Sequence, residues 1–380
     1  MLDVVVVGAG QAGLSAAYYL ARHGLVPETD FVVLDANPAP GGAWLHRWPS
    51  LTLGGAHAIH DLPGMKLPAA DPAEPASAVV SRYYGSYEKT FELPVHRPVK
   101  VQSVHTLADD SAMLFPEDDG GVPADIAGPP LVVETDRGAY ETRLVINATG
   151  TWDKPHWPHY PGLGTFTGRQ LHTHDFQSVA EFAGQRVLVV GGGTSAAQFL
   201  LQLSAHGIDT LWSTRRAPQW REAPQNKAWG IEVENNVNAR TRAGLPPLSV
   251  VSVTGLPLTD FYQEGIDSGV LVSRGAIDSL SARSVTFADG STEEIDVILW
   301  ATGFRASLDH LAPLGLRESG GGILMGGDSV SVPKVPGLFL VGYGASASTI
   351  GATRAGRAAA VAAGRLQDAA ATETATADAP

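Results

Sequence analysis

VVVVGAGQAGLSAA, Val4 to Ala17, sets the reading of the whole chain. Four consecutive β-branched residues suit a short strand buried on both faces. Gly8, Gly10 and Gly13 follow in the spacing G-x-G-x-x-G, and an apolar, alanine-rich run predicts a helix over about Gln11 to His23, stopped by Gly24. Each glycine has a task in such a turn. Gly8 permits the tight exit from the strand, Gly10 lets a pyrophosphate approach the backbone, and Gly13 lets the helix pack closely on the strand. The helix N-terminus then offers unpaired N–H groups and partial positive charge to phosphates. Asp35 closes the next apolar strand, FVVLD, where a carboxylate can accept from a ribose hydroxyl. The stretch predicts a dinucleotide site.

The same pattern returns later. RVLVV, Arg186 to Val190, reads as a strand. GGGTSA, Gly191 to Ala196, gives G-x-G-x-x-A with Gly191, Gly193 and Ala196 at the landmark positions. An apolar helix runs on to about Ala205, with Gly207 as its stop, and the next strand is Thr210 to Thr214. Here Ser213, Thr214, Arg215 and Arg216 stand where the first copy has Asp35 and Ala36. A carboxylate repels a ribose 2′-phosphate, whereas arginines and hydroxyls pair with one. The first site therefore suits FAD or NAD, and the second suits NADP. The fold class expected is α/β, with two Rossmann-like dinucleotide-binding domains.

Length and composition agree with this plan. The chain has 380 residues, natural for two domains, and 44% of them are hydrophobic, enough for sizeable cores. There is no cysteine, which removes disulfides, thiolate metal sites and dithiol redox pairs; no metal site is expected. The net charge of −13 argues against nucleic acid or an anionic membrane as a partner. No apolar run reaches the ~20 residues of a membrane span, and the first strand leaves no room for a signal peptide. A cytoplasmic enzyme is expected.

Other stretches fill in the frame. His46 to Pro68 is irregular and aromatic, and reads as a lining segment. Val80, Tyr84, Tyr87 and Phe91 recur at helical spacing as a core-facing stripe. Val99–Leu107, Leu131–Glu134 and Tyr140–Asn147 read as strands, with Asp109 to Pro130 as an acidic surface loop. Arg221 to Gln263 reads as a polar excursion beside the second site. Val270–Arg274, Ser284–Ala288 and Asp296–Trp300 are expected strands, with a hairpin turn at Asp289-Gly290. NATG at Asn147 and ATGF at Ala301 echo each other after strands. Gly337–Tyr343 is a late strand, and a helix follows from about Ile350 to Leu366, with residues 369–380 expected to be disordered.

In these motifs and their order the chain resembles the flavin-containing monooxygenases, and most closely their small bacterial members. The motifs are GAGQAG at Gly8, GGAW at Gly41, NATG at Asn147, GGGTSA at Gly191, ATGF at Ala301 and GYG at Gly342. Between the two folds, FTGRQLHTHDF fits F-x-G-x-x-x-H-x-x-x-F through Phe166, Gly168, His172 and Phe176. Phe176 favours these enzymes over typical Baeyer–Villiger enzymes, which carry Trp there; His172 reads as a structural histidine. The resemblance implies an FAD-binding domain of residues 1–165 and 284–380, with the NAD(P)-binding domain, 166–283, inserted.

The resemblance also implies the chemistry. NADPH, with NADH as the open alternative, reduces FAD; dioxygen then forms a C4a-hydroperoxyflavin that oxygenates sulfides or amines in a small apolar organic substrate. Ketone oxidation of Baeyer–Villiger type, a poorly coupled NAD(P)H oxidase and a flavin-binding redox sensor are the alternatives, and a homodimer is left open. Implied cofactor contacts, beyond those read from the turns, are Gln11, Ala12, Gly42, Trp44, Ala148, Thr149, Gly150, Thr194, Ser195, Ala301, Thr302, Gly303, Gly342, Thr349 and Ile350. The helix beginning near Ile350 is implied to point at the flavin. Trp48, Gly54 and His57 are the candidate residues of the flavin-facing loop, with His57 a candidate proton donor beside His60. Gly54 stands where many of these enzymes carry an Asn, and Thr52 and Leu53 stand near the place of the Baeyer–Villiger Asp.

Overall fold

Leu2–Val7 and Phe31–Leu34 form the centre of the first sheet because their branched side chains are buried on both faces, as parallel strands require. The computed structural model describes residues 1–56, 59–107, 128–222, 227–248 and 254–377, with the backbone alone described at 227–234, 349–350 and 367–377. This sheet has seven strands, in the order Val95–His96, Phe31–Leu34, Leu2–Val7, Gly138–Asn147, Leu131–Thr135, Val101–Thr106. The seventh, Leu338–Leu340, pairs in parallel with the C-terminal half of Gly138–Asn147. The N-terminal half of that ten-residue strand pairs antiparallel with Leu131–Thr135, so one strand serves two neighbours on one side.

The second sheet has four parallel strands, in the order Arg169–His172, Val297–Trp300, Arg186–Val190, Asp209–Ser213. Val297–Trp300 was expected in the FAD-binding half, with the crossing at Ser284. It lies at the centre of the second sheet instead, because its four apolar residues are buried on both faces between Arg169–His172 and Arg186–Val190. The chain therefore returns to the first sheet after Trp300. The expected hairpin around Asp289-Gly290 is present, joining Ser284–Phe287 to Thr292–Glu294, with Ile277–Leu280 alongside.

Helices cover the sheets. Gln11–Arg22 packs along Thr349–Ala377, and both lie over one face of the first sheet. Ala76–Thr90 presents Val80, Tyr84 and Tyr87 to the same core, as the periodicity predicted. The helix adds Tyr83, whose hydroxyl donates to Met65 O (2.6 Å) and accepts from Leu62 N–H (2.7 Å). Tyr87 donates to Pro63 O (2.7 Å). The tyrosines thus anchor the irregular segment before the helix, since a buried hydroxyl needs a partner.

Two further expectations are corrected and one is filled in. Val270–Arg274 makes only an isolated bridge at Ser273, because its alternation stops at a turn after the helix Asp260–Asp267. The excursion after Arg221 contains a helix, Lys227–Arg242. The C-terminal helix runs on to Ala377 rather than ending near Leu366, so residues 369–377 of the tail expected to be disordered are helical, consistent with the high helix propensity of its alanines. Most of the expected acidic loop, residues 108–127, lies outside the described residues. Among the described residues no helix is long and apolar enough to cross a membrane.

Candidate active site

The first glycine turn is built by exclusion. Gly8 has φ +100°, and a Cβ there would lie 2.6 Å from Ala148 O. A Cβ on Gly13 would lie 1.8 Å from Gly8 O, so the helix can rest on the turn only without a side chain. Gly10 differs. Its backbone is ordinary extended chain, φ −81° and ψ −171°, and a Cβ would meet only Gly42 Cα at 4.0 Å. Neither strain nor packing demands glycine at position 10; open space on the turn does, which fits a pyrophosphate lying against the backbone. Gly10 caps the helix without a side-chain hydrogen bond, leaving the first-turn N–H groups of Gln11, Ala12 and Gly13 aimed at that space. Gly42, whose own Cβ would lie 2.8 Å from Gly10 Cα, closes the GG segment onto the turn.

The start of the C-terminal helix joins this site. Gln11 Nε2 donates to Thr353 Oγ1 (2.9 Å) and Ser15 Oγ to Thr353 O (2.8 Å). Two helix N-termini, at Gln11 and at Thr349-Ile350, therefore converge. Gly342 approaches Gly150: a Cβ there would lie 3.4 Å from Gly150 Cα.

Asp35 is buried at the end of the second strand, beside exposed Ala36. Its Oδ1 accepts from Asn37 Nδ2 (3.1 Å), and its Oδ2 accepts from Arg97 Nε (3.0 Å) and Nη2 (2.9 Å). Arg97 also donates to both oxygens of Glu88, at 2.8 and 2.9 Å. Burial alone would lower the Arg97 pKa; Glu88 and Asp35 outweigh it and raise it. Two carboxylates on one arginine leave one formal negative charge at the place where a ribose hydroxyl would donate.

The second turn repeats the first. Gly191 has φ +147°, and a Cβ would lie 2.1 Å from Ala301 O. Gly8 sits beneath Ala148 of NATG in the same way, which explains the echo between NATG and ATGF. Trp212 Nε1 donates to Gly191 O (2.7 Å) and pins the turn. Gly193 opens on space, followed by Thr194 and Ser195 in the first helical turn and by buried Ala196. Ser213 and Thr214, expected on a 2′-phosphate, are buried and engaged inward. Ser213 Oγ donates to Gly275 O (2.9 Å), and Thr214 Oγ1 bonds Ser273 Oγ (2.7 Å). Arg215 and Arg216 are exposed. Arg305, just after ATGF, and Arg215 both act on His156, whose pKa is lowered by burial first and by these two charges next.

The join between the folds is tightly bonded. Asn147 Oδ1 accepts from His310 Nε2 (2.7 Å), and Asn147 Nδ2 donates to Thr149 Oγ1, which donates to Ser307 O (2.6 Å). Thr302 Oγ1 donates to His156 O, and His156 N–H donates to Gly303 O (2.9 Å). His172 accepts at Nδ1 from His174 N–H (3.1 Å) and donates from Nε2 to Gly303 O (3.1 Å), so both ring nitrogens are used in one neutral tautomer. Burial pulls the pKa of His172 and of His310 down to about 4. His172 is thus a structural crosslink from the linker to ATGF.

The candidate reaction loop is less uniform. The Trp48 ring packs against Phe176 (5.6 Å) and Phe199 (5.0 Å) in the second core, because the linker aromatics offer it apolar surface. Trp44 packs on the first core. Gly54 lies on an exposed turn, its N–H donating to Pro72 O (2.9 Å). His57 lies outside the described residues. Arg97 and Arg47 were not anticipated. No local motif marks Arg97, and its pairing with Asp35 spans 62 positions.

Two dinucleotide folds, one ending its second strand in a buried carboxylate and the other in arginines, define a two-cofactor α/β oxidoreductase. A family model described as FAD dependent oxidoreductase matches residues 3–63, and one described as pyridine nucleotide-disulphide oxidoreductase matches residues 127–244. The absence of cysteine separates the chain from the disulphide chemistry of the latter name. The flavin-containing monooxygenase of Stenotrophomonas maltophilia is similar in structure, with a TM-score of 0.75 and 34% identity over 95% of this chain and 98% of that one. The uncharacterized oxidoreductase CzcO of Bacillus velezensis is 26% identical over 90% of this chain and 92% of its own. The indole-3-pyruvate monooxygenase YUCCA1 of Oryza sativa subsp. japonica is 26% identical over 89% of this chain and 86% of its own. The chain belongs to the flavin-containing monooxygenase family. It is a flavin-dependent monooxygenase that uses FAD and NADPH and acts with dioxygen on an organic substrate.

Proposed function

We propose that the enzyme oxygenates nucleophilic sulfur or nitrogen in small organic molecules. The observation that carries this is the pairing of two glycine turns of one design with opposite ribose chemistry, Asp35 at the first and Arg215 with Arg216 at the second. Bound FAD would supply acceptance of a hydride from NADPH and activation of dioxygen at its C4a position, with one oxygen atom passing to substrate and the other leaving as water. The remaining tasks fall to the chain. Gly8, Gly10 and Gly13 hold the FAD pyrophosphate with the N–H groups of Gln11 and Ala12. Asp35 takes the ribose, and Gly42, Ala148–Gly150 and Gly342 flank the same cofactor. The N-terminus at Thr349-Ile350 adds positive potential that favours a reduced, anionic flavin.

NADPH is assigned to Gly191, Gly193, Thr194, Ser195 and Ala196, with Ala301–Gly303 beneath. Arg215 and Arg216 pair with its 2′-phosphate, without Ser213 or Thr214. The FAD-binding part comprises residues 1–165 and 301–377, and the NADPH-binding part residues 166–300. Trp48 bridges the two and holds their spacing. The linker histidine, His172, takes no part in proton transfer, since both its nitrogens are engaged.

The test is stoichiometric. NADPH is added anaerobically to the yellow holoenzyme, oxygen follows, and sulfide, amine and ketone panels are compared. Sulfoxide or N-oxide formed in proportion to NADPH supports the proposal. Ester from ketones with no heteroatom product replaces it with Baeyer–Villiger oxidation. Peroxide alone makes the protein an NADPH oxidase, and a flavin that stays oxidised makes it a sensor.

A further inference from the structure

Arg47 follows directly after the short helix Gly42–His46. Its guanidinium carbon lies 4.5 Å from the ring centre of Trp152, 5.8 Å from that of Trp44 and 6.0 Å from that of Trp48. Burial lowers its pKa to about 10, and no acidic group offsets the effect. Among the described residues, no hydrogen bond or ion pair reaches the guanidinium. The contrast with Arg97, held between two carboxylates, is direct. A guanidinium has five N–H donors in its plane, and ring faces satisfy none of them. Arg47 is half-buried, and its unpartnered donors are available to an anion that enters the cleft.

The place where one could arrive is open. Arg47 lines a cleft of about 580 Å³, together with His46, Trp152, His174 and Asp175. That volume suits a small ligand. Asp175, the acid on the wall, is engaged by His174 Nδ1 at 2.7 Å and leaves Arg47 uncompensated. The cofactor phosphates have their own cradles at Gly8–Gly13 and Gly191–Ala196. Arg47 stands five residues beyond Gly42, roughly 10 Å along a 3₁₀ helix.

We propose that Arg47 anchors a carboxylate of the organic substrate in the cleft between the two folds, with Trp152 walling its apolar part. The enzyme then selects small organic acids that carry the nucleophilic atom, rather than wholly apolar molecules. The proposal rests on the monooxygenase reading for what happens to the ligand, but not for its binding.

Binding is therefore measured without turnover. The holoenzyme, without NADPH, is titrated with 4-(methylthio)benzoate and with the uncharged 4-(methylthio)benzamide, following quenching of tryptophan fluorescence. The wild type should bind the acid at least ten-fold more tightly than the amide. Arg47→Gln should abolish that preference, and Arg47→Lys should restore part of it, with flavin content and the NADPH Kd unchanged. Equal binding of acid and amide by the wild type overturns the proposal and needs no variant. An unchanged preference in Arg47→Gln also overturns it. So does a loss of flavin or a weaker NADPH Kd in that variant with the acid preference intact, which would assign the arginine to a cofactor phosphate. Failure to form sulfoxide from the bound acid counts against the monooxygenase reading alone.

Discussion

Two alanine substitutions one helical turn apart should part company. In Gly10→Ala, the new methyl group meets only Gly42 Cα at 4.0 Å, and φ −81° with ψ −171° is comfortable for alanine. The apoprotein should change by less than about 1 kcal/mol, since the gain of about 0.4–1 kcal/mol from a less flexible unfolded chain is offset by alanine's poorer preference for the N-cap position. FAD binding should suffer, because the methyl group takes the space in which the pyrophosphate meets the turn. Loss of one charge-assisted hydrogen bond costs about 1.5–3 kcal/mol, or roughly 10- to 150-fold in Kd. In Gly13→Ala, the methyl group would lie 1.8 Å from Gly8 O, about 1.6 Å short of an ordinary 3.4 Å contact. The helix must retreat, so the apoprotein itself should lose about 1–3 kcal/mol and FAD affinity should fall as well. Thermal unfolding of the deflavinated variants and fluorescence titration with FAD read the two effects separately. Wild-type FAD affinity in Gly10→Ala, or equal destabilisation of both apoproteins, would refute the assignment of open space at Gly10 to a bound ligand.

Other consequences follow from single contacts. Arg97→Met leaves Asp35 and Glu88 buried without their counter-ion and should destabilise the fold by about 3–5 kcal/mol, measured by denaturant unfolding; a cost under 1 kcal/mol, roughly the worth of an exposed pair, would show that the cluster is solvated. Arg215→Ala combined with Arg216→Ala should raise KM for NADPH at least ten-fold and leave KM for NADH within about two-fold, since one phosphate separates the two cofactors; an equal effect on both removes the 2′-phosphate assignment. His172 and His310 are held neutral, with pKa values near 4 against 6.5 for the free side chain. The unfolded chain binds more protons between these values, so stability should fall as pH drops from about 6.5 towards 4. Replacing both histidines with glutamine should flatten that slope in a Tm-against-pH series, and an unchanged slope would place the titration elsewhere.

Much of the fold was legible because its signals are local. A G-x-G-x-x-G turn demands strand, glycine and helix within fourteen residues, and both copies appear where their spacing put them. Membership in a sheet is not local. Val297–Trp300 has the same apolar composition as strands of either sheet, and only its pairing with Arg169–His172 and Arg186–Val190 assigns it to the second. The site divides in the same way. Glycines were readable because their backbone role is intrinsic, whereas Ser213 and Thr214 turned inward to partners near position 275 that no periodicity identifies. Trp48 was picked out by its motif neighbours, but its packing on Phe176 and Phe199, well over a hundred positions away, carries no local signal. Arg47 carries no sequence signal at all, because its distinction is the lack of a partner, which only tertiary structure displays.

The central claim, monooxygenation with FAD and NADPH, is tested most directly by isotope. The holoenzyme is given NADPH and a thioether under oxygen-18 gas, and the sulfoxide is weighed by mass spectrometry while peroxide is assayed. The account predicts one labelled oxygen atom in the sulfoxide, in proportion to the NADPH consumed. Unlabelled sulfoxide, or NADPH electrons recovered wholly as hydrogen peroxide, would contradict it.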